Sequence, residues 1–224
     1  MAKLDMKHTR LYALLAILFF WSCDTKKDSK PSELPDTPET KVEKPTEEIV
    51  ANKPNEFNAW VDYYKRLQSD FSVDKFKKDG TFEIIRGESS VVPVWDKNFD
   101  PLYKDYLIYN SDSTQYIDID SYKWGMAQDK KLQINADQEV VLVNIPEKKV
   151  QRIVFYGPAY WVEAAYFKND STVVLLENSE ENIPAYQEIN LNNNTTDYYL
   201  YSEPLNKPSE YLKKRILSIY KKDL

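Results

Sequence analysis

Between Thr81 and Tyr201 the chain breaks into short runs rich in Val, Ile and Tyr, each bounded by Asn, Asp, Ser or Pro. Such punctuation leaves no room for long helices, and alternation of apolar and polar residues marks half-buried strands. The runs are Thr81–Arg86, Ser90–Trp95, Tyr106–Asn110, Thr114–Asp120, Glu139–Asn144, Val150–Tyr156, Val162–Lys168, Thr172–Leu176, Tyr186–Leu191 and Tyr198–Tyr201. Pro93 lacks an N–H, so the second belongs at an edge or a bulge. Helical periodicity flanks this region on both sides. Phe57, Trp60, Val61, Tyr64, Leu67 and Phe71 recur at i, i+3, i+4 spacing, with Asn55 and Glu56 suited to the helix start. A short helical turn is expected over Val73–Lys78, closed by Gly80. The last element, Ser209–Lys222, has Ser209 as its expected N-cap and a stripe of Leu212, Ile216, Leu217, Ile219 and Tyr220. The expected fold is therefore mainly β, built of antiparallel hairpins arranged as a sandwich or as propeller-like blades. One helix precedes these hairpins and one follows.

Upstream of this domain the composition changes. Residues 24–55, DTKKDSKPSELPDTPETKVEKPTEEIVANKPN, contain no aromatic and five prolines. A segment so poor in apolar residues cannot offset its chain entropy by burial and reads as a disordered tether. Before it, Lys3, Lys7 and Arg10 precede an apolar run from Leu11 to Trp21, the layout of a secretory signal and too short for a spanning helix. Ser22 then stands directly before Cys23, the chain's single cysteine. That arrangement resembles the lipobox of bacterial lipoproteins. The resemblance implies cleavage before Cys23, a lipid thioether on its sulfur, and anchorage to a membrane through it. Phe20 stands three residues before Cys23, where that family most often has Leu. The expected organisation is a signal peptide over 1–22, a lipidated cysteine and tether over 23–55, and one mostly-β domain over 56–224. The resemblance implies inner-membrane retention by Asp24 if the lipoprotein is of the enteric kind, and export to the outer membrane if it is of the Bacteroidota kind. The many Asn, Lys and Tyr residues suit the second, an outer-membrane location in the cell envelope.

Removing the leader alters the chemistry on offer. Residues 1–22 carry three cations against Asp5, so the formal charge moves from −6 to −8, and His8, the only histidine, is lost. Without imidazole or a free thiol, neither a Ser-His-Asp nor a Cys-His arrangement can form, nor a zinc, haem or iron–sulfur site built on those ligands. Four scattered glycines make no phosphate-cradling loop, and the negative charge disfavours nucleic acid. No cofactor and no metal is expected, and the chain reads as a non-enzyme. Its expected role is to bind a protein or polysaccharide partner, the alternative being a structural part of an envelope complex. A hydrolase working through paired carboxylates is the third reading.

Two stretches share a turn. Tyr109-Asn-Ser-Asp-Ser-Thr114 aligns with Phe167-Lys-Asn-Asp-Ser-Thr172, and a second hairpin follows each, over 139–155 and 185–201. These units, about 104–155 and 160–201, resemble successive blades of a β-propeller. Residues 99–167, with YNSDSTQYIDIDSY and DQEVVLVN, also resemble uncharacterised lipoproteins of Bacteroidota, a likeness that implies no activity.

Candidate sites follow from residue type. Trp95, Trp124, Tyr156, Tyr160 and Trp161 gather around turns, where Tyr and Trp can stack on sugars or anchor an interface; the same residues also fill β cores. Asn110, Asp112, Thr114, Asp118 and Asp120 stagger oxygens as a calcium loop does, but the loop's glycine and terminal glutamate are missing, so Asp112 capping its own turn is the simpler reading. Glu163 and Glu177 could be drawn as an acid/base pair, with strand alternation placing Glu163 beside Ala165 and Phe167 on an outer face.

Overall fold

The computed structural model describes residues 55–221, so the leader, Cys23 and the tether lie outside the described residues. Helix α1, Asn55–Leu67, turns Phe57, Trp60, Val61 and Tyr64 inward and keeps Glu56 in its first turn and Lys65 and Arg66 in its last, each favourable to the helix dipole. It stops four residues before Phe71. That ring reaches the same core from the following loop and stacks on Tyr201 at 4.7 Å. The expected helical turn shrinks to a 3-10 turn over Val73–Lys75, capped by Ser72. Strand β1, Phe76–Glu83, starts at once, and Gly80 lies inside it at a register shift instead of closing a helix.

The remaining strands are β2 Ile108–Tyr109, β3 Gln115–Asp118, β4 Trp124–Met126, β5 Leu132–Ile134, β6 Gln138–Asn144, β7 Lys149–Tyr156, β8 Tyr160–Asn169, β9 Thr172–Ser179, β10 Ala185–Asn190 and β11 Thr195–Tyr201. They form an open five-stranded sheet in the order β1-β11-β10-β9-β8, an open four-stranded sheet in the order β2-β3-β6-β7, and the hairpin β4-β5. All pairings are antiparallel. The protein is thus mainly β with an N-terminal and a C-terminal helix, and its described sheets close into neither a barrel nor a propeller ring. The segment Lys123–Asn135, which falls between the runs read from the sequence, contains the β4-β5 hairpin. Ser90–Trp95 forms no strand. Val91 and Val94 donate their N–H groups to the side chains of Ser89 and Tyr116, and Pro93 has none to give a ladder.

Alternation along the strands assigns two faces to each sheet. Ile117, Ile119, Val140, Leu142 and Ile153 of one sheet region meet Val162, Ala165, Val173, Leu175 and Ile189 of the other in a shared inner core. On its opposite face the five-stranded sheet takes α1, packing Ala164, Tyr166, Val174, Leu176, Tyr186 and Tyr201 against the helix. The irregular stretch after β1 covers the outer face of the four-stranded sheet with Val91, Val94 and Phe99. Helix α2, Tyr211–Tyr220, buries Leu212 and Ile216 against Tyr106 and Trp124.

The aligned turns occupy the first hairpin of each meander, β2-β3 and β8-β9, but are built differently. Ser113 adopts a left-handed conformation (φ 58°), and Asp112 caps its own turn through the N–H and hydroxyl of Thr114. In the second turn Asn169 takes that role toward Ser171. Asp170 instead reaches across to the first turn and accepts hydrogen bonds from the N–H and hydroxyl of Ser111 at 3.2 and 2.6 Å.

Candidate functional site

The local event that shapes the site is a β-bulge in β8. Val162 pairs with Glu177 and Ala164 with Leu176, so Glu163 is an extra residue without an opposite number. A bulge re-aims side chains. Here Glu163 and Ala164 both face α1, while Val162 and Ala165 face the inner core, which overturns the simple alternation expected for this strand. Glu163 is fully buried rather than on an outer face. Its Oε2 accepts from Trp60 Nε1 and Tyr64 Oη, both at 2.7 Å, and its Oε1 accepts from Ser209 Oγ at 2.5 Å. Burial pushes its carboxyl above the ordinary range, and the donors from Ser209, Tyr64, Trp60 and Trp161 pull the other way. Ser209 also accepts the N–H of Tyr211, so the predicted cap residue serves the helix from one position before its N-cap, Glu210.

Arg215 on α2 ties this network to the other sheet. Its Nε donates to the Glu163 carbonyl at 2.7 Å, and its two terminal nitrogens form a bidentate pair with Asp120 at 3.0 and 2.8 Å. Asp120, wholly buried, also accepts from Trp124 Nε1 at 2.8 Å. Burial opposes the charge on Arg215, but the neighbouring Asp120 carboxylate wins and raises its pKa. Next to it Asp118 accepts two backbone N–H groups and the Ser121 hydroxyl, and burial raises its pKa against them.

Glu177 belongs to a separate network in the inner core. Its Oε1 accepts from Tyr156 Oη at 2.7 Å and from Gln187 Nε2 at 2.6 Å, while Thr196 donates to Gln187 from behind. Its Oε2 has no hydrogen-bond partner, and the Tyr198 hydroxyl is a further neighbour of the carboxyl. Burial pushes this carboxyl up to about 7. Glu163 and Glu177 thus lie on opposite faces of the five-stranded sheet, and the acid/base pair drawn from the sequence does not assemble. The staggered oxygens do not converge either. Asp112 caps its turn, Asn110 accepts the Gln115 N–H, and Asp118 and Asp120 are used internally. Among the described residues no three His, Cys, Asp or Glu side chains stand close enough to hold a metal.

A cleft of about 840 Å³ lies between β2 and β8, the facing edge strands of the two larger sheets. Ala164 and Ala165, just past the bulge, form part of its lining. Tyr109, Tyr166 and Tyr211 line it, and Glu56 and Asp105 stand at its rim. Arg215 bounds one end and the Ser111–Asp170 contact the other. Burial raises the Tyr166 hydroxyl, and the carboxylates of Glu188 and Glu56 add to it.

The five aromatics singled out from the sequence do not line this cleft. Trp124 is 1% exposed in the core under α2 and has no face left for stacking. Trp161 is half-buried beside it, and Tyr156 is spent on Glu177. Trp95 and Tyr160 remain exposed, and Tyr160 lies 6.3 Å from the Tyr156 ring. Sequence reasoning missed Arg215, although a signal existed. Leu212, Arg215, Ile216 and Ile219 follow i, i+3, i+4, i+7 spacing, which sets a cation on the buried stripe. Comparison with protein-family models, with curated proteins and with solved structures returns no match.

Proposed function

We propose that this chain is a lipid-anchored protein of the cell envelope, held through Cys23 at the outer membrane, whose β domain binds a protein partner without catalysing a reaction. The observation that carries the binding role is the open cleft between two sheet edges, walled by tyrosines and rimmed by carboxylates. Tyrosine offers large contact area at low entropic cost, and edge strands offer main-chain hydrogen bonds. The buried acids support a non-catalytic reading because each is committed to holding helices or sheets in place. Glycosidic hydrolysis needs two carboxyls flanking one bond, and Glu163 and Glu177 look away from each other across a sheet. The anchor reading rests on the leader pattern ending at Ser22 and Cys23; no helix among the described residues is long and apolar enough to cross a membrane.

Crosslinked affinity purification of the full-length lipidated protein from its own envelope tests the binding role. One protein recovered at fixed stoichiometry is the expected result, and recovery of glycans alone overturns it. For the anchor, Cys23→Ala is expected to abolish incorporation of radioactive palmitate; unchanged labelling refutes it.

A further inference from the structure

The cleft carries charge that nothing among the described residues answers. The charged side chains lining it are Glu56, Asp105, Lys168, Asp170 and Arg215. Both cations are matched from outside the lining, Arg215 by Asp120 at 2.8 Å and Lys168 by Glu188 at 2.9 Å. Glu56, Asp105 and Asp170 are exposed and enter no ion pair among the described residues. Asp170 accepts only from Ser111. Three carboxylates are therefore left over. Exposed acids alone are ordinary, since water solvates them well.

Tyr166 is what sets this place apart. It is 6% exposed, and its hydroxyl makes no hydrogen bond among the described residues. The polar side-chain atoms sealed from both solvent and partners there are Gln115 Oε1 and Glu177 Oε2, so the Tyr166 oxygen, at the end of a buried ring, stays open to the cleft it lines. Burial raises its pKa, Glu188 adds to that, and Glu56 on the cleft rim is close enough to add more. Such an oxygen is an acceptor waiting for a donor that the protein does not supply.

The spread of the acids decides the form of the cation. Among the described residues no three His, Cys, Asp or Glu side chains converge on a metal, so a compact dication is poorly matched. Glu56 stands on α1, Asp105 in the 3-10 turn Pro101–Tyr106 and Asp170 in the β8-β9 turn. A flexible methylene chain bearing separated ammonium groups meets separated carboxylates. Its apolar links can lie on Tyr109 and Tyr211, and an ammonium over a tyrosine face gains cation–π attraction. The 840 Å³ of the cleft falls within the roughly 300–1,000 Å³ of small-molecule sites.

We propose that the cleft binds a small aliphatic polyamine, its ammonium groups set against Glu56, Asp105 and Asp170 and one N–H donated to Tyr166 Oη. This rests on the cleft being a binding site and adds a ligand to it. The test nitrates the full-length chain in detergent with tetranitromethane and reads each tyrosine by peptide mass spectrometry. Saturating spermidine should slow nitration of Tyr109 about tenfold, because a ligand in the cleft covers that ring. Tyr160, exposed and outside the cleft, should be unaffected, and magnesium at equal ionic strength should protect neither. Glu56→Gln with Asp105→Asn should abolish the protection, while Glu88→Gln with Glu147→Gln, exposed acids outside the cleft, should leave it intact. Tyr166→Phe removes only an unbonded hydroxyl; it should raise the half-protecting concentration about tenfold and leave the urea midpoint unchanged. No protection of Tyr109, equal protection of Tyr160, an equal effect of magnesium, or protection that the cleft variants do not alter overturns the proposal. If a stoichiometric protein partner is recovered from the envelope while spermidine protects nothing, the partner-binding reading stands and the polyamine fails.

Discussion

Replacing Glu177 by glutamine separates the cost of a buried charge from the benefit of its hydrogen bonds. The carboxyl is 1% exposed and its proton affinity is raised from 4.5 to about 7. The folded protein therefore holds that proton more tightly than the unfolded chain. The resulting stability is fully present below pH 4.5 and is lost as pH rises through 7. At 1.36 kcal/mol per pKa unit, the loss between pH 5 and pH 8 comes to about 2–3 kcal/mol from this group alone. Glutamine keeps the volume, and its oxygen can accept from Tyr156 and Gln187 as Oε1 does. Its amide N–H₂ takes the place of Oε2, which accepts no hydrogen bond. Urea unfolding of both proteins at pH 5 and pH 8 measures the effect. The variant should gain on the parent by about 2–3 kcal/mol between the two pH values. A difference between parent and variant that stays constant across that range would refute the assignment of a neutral, proton-holding Glu177.

Three further outcomes follow from the same packing. Arg215→Met strands the buried Asp120 carboxylate and should cost about 3–5 kcal/mol in urea unfolding, with a substantial part recovered when Asp120→Asn is added. Additive losses in the double variant would show that the two residues do not act as a pair. Trp60→Phe removes the indole donor to Glu163 and should lower stability more at pH 8 than at pH 5, because the carboxylate is the form that most needs the bond; this is read by the same unfolding experiment. Trp95 is 36% exposed while Trp60 and Trp124 are at most 1%, so Trp95→Phe should remove much of the acrylamide-quenchable fluorescence and Trp124→Phe should not.

The core faces of both helices are readable in the chain because a period of 3.6 residues survives in Phe57, Trp60, Val61 and Tyr64 and in Leu212 and Ile216, all buried. Most strands are readable for the same reason at a period of two. Polar networks are not. Glu163 finds its donors 103 and 99 residues upstream and 46 downstream, separations over which a sequence has no periodic signal. The same holds for Trp124 and Trp161, whose residue type suits a core and a binding face equally.

What the sequence determined by itself is the local menu of short strands, two amphipathic helices and an absence of imidazole in the domain, since each depends only on near neighbours or on composition. Tertiary structure alone decided which hairpins share a sheet and where the extra residue at Glu163 breaks the alternation. Alternation tells two faces apart but not which layer each will meet. One unpaired residue in β8 turns a carboxylate toward α1, and it is the meeting of that strand with β2 and α2 that makes the cleft.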